Sequence, residues 1–178
     1  KELAVLKKLN TPIKIQNFLD KTPINWEKRG DTHMSPRRAL REKKAHCFEG
    51  ALIAALALKI HGHKPLILHL ASLPHDDDHI VTLFKQNGFW GAISKTNHST
   101  LRFRDPIFKT TRELAVSYFH EYFDKKGKKT LVGYSRPINL MRFGHSWVTA
   151  EDDLWDMDDA IMASHHFPFV SKQNKKNV

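Results

Sequence analysis

The sequence is short of cysteine, of acidic charge and of long apolar runs, and each shortage excludes something. One cysteine in 178 residues rules out an internal disulfide framework and any zinc site built on clustered thiolates. A reducing cytoplasm is the expected compartment. No apolar stretch approaches the roughly 20 residues of a membrane-spanning helix. The first residues, Lys1-Glu2-Leu3-Ala4-Val5-Leu6-Lys7-Lys8, read as an amphipathic helix and not as a signal peptide. Internal repeats and low-complexity segments are also missing. With 40% hydrophobic residues and 11 phenylalanines, the chain buries a proper core, so wholesale disorder is excluded. Residues 1–170 read as one domain and 171–178 as a polar, frayed tail.

Acidic residues number 19 against 29 lysines and arginines, a net charge of +10. Such an excess draws proteins to nucleic acid or anionic surfaces. Here the cations fall in scattered clusters: Arg37-Arg38 with Arg41, Lys43-Lys44, Lys125-Lys126 with Lys128-Lys129, and Lys172 with Lys175-Lys176. No aromatic residues interleave them in a nucleic-acid motif. The charge reads as a solvated face, with a basic nucleic-acid-binding domain kept as an alternative.

Thr11-Pro12 divides an N-terminal helix from a second apolar pattern, which Lys21-Thr22-Pro23 stops. Ser35 reads as an N-cap with Pro36 at the first helical position, opening a basic helix through Arg41. From Cys47 to Ile60 the chain is apolar nearly all round, which places that helix inside the domain. A strand over 65–71 follows, then a loop. Two strand-like runs, 79–85 and 89–95, flank Asn87-Gly88, the strongest short hairpin signal. Leu101-Arg102-Phe103-Arg104 alternates as a third strand, which Asp105-Pro106 is expected to stop. The spacing of Leu114, Ala115, Tyr118, Phe119, Tyr122 and Phe123 predicts a helix with its aromatics in the core. Thr130 to Tyr134 reads as an edge strand. The order is that of an α+β fold.

Ala45-His46-Cys47-Phe48-Glu49-Gly50-Ala51 puts the lone thiol at the front of the internal helix. Unpaired N–H groups and the positive end of the helix dipole favour thiolate there. A lone cysteine also fills core space in many proteins, so position has to decide. A thiol nucleophile needs a base, and a third group to fix the base's tautomer. Twelve histidines offer bases. His79 stands out because it opens a strand directly after Asp76-Asp77-Asp78. His61-Gly62-His63 lacks further ligands at metal spacing, and the acid runs lack an EF-hand pattern. No metal or cofactor is expected.

Cysteine heading a buried helix, then a strand, then histidine opening a hairpin whose second strand carries Trp90 resembles the transglutaminase-like branch of the papain-like cysteine enzymes. The stretches are Ala45 to Ala51, Asp78-His79-Ile80-Val81 and Gly88-Phe89-Trp90-Gly91-Ala92-Ile93-Ser94, within a third of the chain. Gly30-Asp31, Ser35-Pro36-Arg37-Arg38 and Tyr134-Ser135-Arg136-Pro137 resemble a bacterial subgroup of that superfamily. The resemblance implies a papain/transglutaminase-like α+β domain, its nucleophile helix packed on a small antiparallel sheet. It implies Cys47 as nucleophile and His79 as general base, in acyl transfer on a peptide or amide substrate. The family's aspartate after the tryptophan is replaced by Ser94, which leaves a catalytically degenerate binding module as a further alternative.

Hairpin arithmetic sets His79 opposite Lys95 or Thr96, so Ser94 and Asn97 lie at the correct end. Asp105 would return beside Trp90, some 16 Å away at roughly 3.3 Å per residue. Asn97 is preferred as the third member, because an amide oxygen can hold an imidazole, with Ser94 second and Asp105 third. The Cys47 N–H, with a donor from His46 or Trp26, would form the oxyanion site.

Overall fold

A computed structural model describes residues 1–28, 30–171 and 173. The expected tail over 171–178, with the Lys172 and Lys175-Lys176 cluster, otherwise lies outside the described residues. In order, the described elements are α1 (Glu2–Lys8), α2 (Pro12–Lys21), α3 (Pro36–Glu42), α4 (Cys47–Ile60), β1 (Leu66–Ser72), β2 (His79–Gln86), β3 (Phe89–Ser94) and β4 (Arg104–Phe108). They continue with α5 (Thr111–Phe119), β5 (Leu131–Ser135), β6 (Ile138–Asn139), α6 (Trp155–Met162) and β7 (His166–Pro168).

Local chemistry sets the helix starts. The Thr11 hydroxyl accepts from Lys14 N–H ahead of Pro12, and Ser35 accepts from Arg38 N–H ahead of Pro36. In α4 every residue from Phe48 to Leu58 is buried, as an apolar circumference requires. Among the described residues no helix is long and apolar enough to cross a membrane.

All strand pairings are antiparallel, in the order β4-β3-β2-β1-β5-β7, with β6 also on β1. Asn87 and Gly88 take φ of 50° and 86°, the backbone a two-residue hairpin needs, and the turn pairs Gln86 with Phe89 and Val81 with Ser94. Both sheet faces are covered. Ile67, Ile80, Phe84 and Ile93 pack towards α4, while Leu68, Leu70, Val81, Leu83 and Ala92 join Leu114, Ala115 and Tyr118 of α5. The fold is α+β.

Three expectations change. The third strand starts at Arg104 and runs through Asp105-Pro106, where it was expected to stop; β4 is the sheet edge, where a proline costs no ladder hydrogen bond. The strand after Lys129 is interior, because the unforeseen β7 covers its far side. And α5 ends at Phe119. Tyr122 stays buried, but Phe123 pairs with Lys129 across a turn and is 55% exposed, so it is not a core residue.

Candidate active site

The site lies where the first turn of α4 meets the start of β2 and the end of β3. Close approach is possible because residue 50 is glycine. A Cβ there would sit 2.2 Å from Cβ of Lys95, so no other residue allows this contact unchanged. On the far side, Gln16 of α2 fixes the end of β3. Its amide accepts from Ser94 N–H at 2.9 Å and donates to Ser94 C=O at 2.8 Å. The pairing of β3 with β4 reaches only Ala92, so these backbone groups would otherwise be orphaned. Lys95 anchors the next residue by donating its ammonium to the carbonyls of Leu19 and Thr22 at the end of α2.

Cys47 is the first residue of α4 and is partly exposed. His46 is the N-cap. Its N–H donates to Glu49 Oε2 at 2.9 Å, and its Nδ1 accepts from Phe48 N–H at 3.2 Å. Its Nε2 lies 2.7 Å from Thr32 C=O. Glu49 is fully buried, and its carboxylate also accepts from Asn25, Thr32 and Met34 N–H. The irregular segment over 22–34 is thereby pinned beneath the helix start. His79 is 5% exposed, and its Nε2 meets Ser94 Oγ at 2.7 Å. Nδ1 is the ring nitrogen that Ser94 does not engage.

Burial pushes the Cys47 thiol up, but hydrogen bonding and positive charge from His46 and His79 outweigh it and bring the thiol down to about 5. Burial likewise lowers His46, yet the thiolate, Glu49 and the Thr32 carbonyl overcome it and push the imidazole up to about 9. Protonated at Nδ1, His46 can no longer accept from Phe48 N–H and leaves it uncapped. Neutral, it caps the helix. The two forms exclude each other because one lone pair serves both.

The structure brings Cys47, His79 and Ser94 together. Asn97 is exposed in the loop after β3 and, among the described residues, makes no hydrogen bond to the His79 ring. It lies at the correct end of the hairpin, but the chain has already left the strand. Asp105 is exposed on the edge strand beside Ala92, away from His79. Trp26, 64% exposed, lines the cleft and makes no hydrogen bond there among the described residues. The Cys47 N–H is free of hydrogen bonds among the described residues. Asp78 turns away from His79, accepting from Ser72 N–H and facing His69.

Sequence reasoning considered His46 only as an oxyanion donor and missed its place beside the sulfur. The signal was His46-x-x-Glu49, a capping-box spacing with histidine in the capping position. Gln16 left no local signal, since its partner is 78 residues away. The chain matches no protein-family model, and no curated protein matches it.

Proposed function

We propose that the chain is a cysteine-dependent acyl-transfer enzyme of papain/transglutaminase-like fold, acting on an amide. The observation that carries this reading is the thiol at the head of α4 sharing one cleft with two imidazoles, one of them held by Ser94. The Cys47 thiolate attacks the amide carbonyl, forming a C–S bond while the developing oxyanion meets the free Cys47 N–H. Imidazolium at His79 gives its proton to the departing nitrogen as the C–N bond breaks, leaving a thioester. Water or an amine then attacks the thioester, giving its proton back to the imidazole, and the thiolate is released. Ser94 fixes the His79 tautomer without adding charge, so it stabilises imidazolium less than a carboxylate would.

The test is acylation by p-nitrophenyl acetate, followed by mass spectrometry of the intact protein and its peptides. One acetyl group on Cys47, lost on addition of hydroxylamine and absent in Cys47→Ala, is the expected result. A protein that stays unacetylated at Cys47, or is acetylated equally in His79→Ala, overturns the reading.

A further inference from the structure

The cleft that opens on Cys47 has a charge opposite to that of the molecule. About 430 Å³ in volume, it is lined by six carboxylates, Glu27, Asp76, Asp77, Asp78, Glu121 and Asp124, against two lysines and the His46 and His79 imidazoles beside the thiol. One of the lysines, Lys95, has its ammonium held by the α2 carbonyls. The whole chain carries 29 cations to 19 acids, so the reversal is local. Several of the acids have partners. Asp78 faces His69, Glu121 pairs with Arg104, Asp124 with His75, and Asp76 accepts from Thr130. Asp77 is exposed, and among the described residues its carboxylate has no partner.

Aromatic exposure points to the same ligand independently. Trp26 at 64% and Phe123 at 55% are more exposed than the other solvent-facing aromatics, Trp155 at 44% and Phe89 at 37%. Both line this cleft, Trp26 from the segment before α3 and Phe123 from the turn after α5. Open ring faces beside carboxylates attract a cation, because the ring quadrupole and the acid charge add in the same direction. The floor of the same cleft holds Cys47 and the buried His79, so a cation seated there stands beside the reacting carbonyl.

We infer that the cleft selects acyl donors bearing a cationic side chain, a lysine or arginine next to the amide that Cys47 attacks. This rests on the acyl-transfer reading. Asp77 supplies charge, and Trp26 and Phe123 cover the alkyl stem and the cationic head. The reversed field also repels acidic peptides, which the rest of this basic surface would attract.

The experiment compares N-acetyl-arginyl, N-acetyl-norleucyl and N-acetyl-glutamyl chloromethyl ketones. Each alkylates a thiolate, forming a thioether and releasing chloride. Alkylation of Cys47 is followed by mass spectrometry, and each rate is divided by the same protein's rate with uncharged iodoacetamide. The arginyl reagent should exceed the glutamyl one by about tenfold, with norleucyl between, and the gap should narrow at 0.5 M salt. Asp77→Lys should close most of that gap, and Trp26→Ala should slow the arginyl reagent more than the norleucyl one. Equal relative rates for the three reagents, or a preference unchanged in Asp77→Lys, overturn the inference while leaving the nucleophile in place. A Cys47 inert to iodoacetamide itself overturns the acyl-transfer reading instead.

Discussion

At the scale of single residues, the site depends on how one sulfur, two rings and a hydroxyl share protons. With the thiol brought down to about 5, its thiolate fraction grows as pH rises through that value and is nearly complete by neutrality. Carboxymethylation of Cys47 by iodoacetamide should therefore rise with an inflection near 5, not near the ~8.5 of a free thiol. His79→Ala should move the inflection upward by removing a hydrogen bond and a charge. His46→Asn is the sharper variant. Asparagine is a good N-cap, so α4 keeps its start while the sulfur loses an imidazole; the inflection should rise with little change in thermal midpoint. An unmoved inflection would show that His46 is a cap and nothing more. At this scale the positions of Cys47 at a helix start and His79 at a strand start were legible in the sequence, because the residue heading an apolar run and the residue opening a strand are both readable locally. The choice among Ser94, Asn97 and Asp105 was not readable in the same way. Hairpin register limits the candidates to one end, but whether the chain stays in the strand at 94 or has left it by 97 is decided by Gln16, a residue on another element.

Among elements, α4 is brought to β3 by a missing side chain and by a borrowed amide. Gly50→Ala places a methyl group 2.2 Å from Lys95 Cβ, so the helix and strand end must separate. Overpacking of this kind costs about 1–3 kcal/mol, and the displacement also loosens Cys47 from His79. Gln16→Ala strands two buried backbone groups of Ser94, at about 1–3 kcal/mol each before relaxation. Both variants should lower the urea midpoint and raise the Cys47 inflection together. Gln16→Glu separates the effects, since a carboxylate still accepts from Ser94 N–H but gives nothing to its carbonyl. A midpoint falling without any change in thiol reactivity would confine Gln16 to stability. Helix starts were legible here because Thr11-Pro12 and Ser35-Pro36 carry their own chemistry. The sheet order was less so. Proline within β4 looked like a stop until the strand proved to be an edge, and β5 looked like an edge because the three-residue β7 that covers it carries almost no periodic signal.

Across the whole molecule, the far side of the sheet is tied to the loop that delivers His79 by a chain of titrating groups. His69 on β1 is 1% exposed, and its Nδ1 meets Nε2 of His166 on β7 at 2.7 Å. The two rings reach each other across β5 because the residue between them is Ser135, whose hydroxyl accepts from His69 N–H at 3.0 Å. His69 Nε2 faces Asp78 Oδ2 at 3.3 Å, and Asp78 precedes His79. Burial and the charge of His69 lower His166 below the ordinary 6.5. Burial raises Asp78, but the facing His69 imidazole and the Ser72 amide more than offset it and leave the carboxyl below its ordinary 3.8. Both shifts have the same sign for stability. A lowered folded pKa means that the unfolded chain takes up protons first, so stability is lost as pH falls from the unfolded value through the folded one. Urea midpoints should therefore drop below about pH 6.5, from His166 together with the depressed Cys47 thiol, and again below about pH 4 from Asp78. His166→Gln, which keeps a polar group facing His69 but does not titrate, should reduce the upper stage, leaving the share of the Cys47 thiol, and leave the lower one unchanged. A variant with the wild-type slope between pH 7 and 5 would assign the acid sensitivity to other groups.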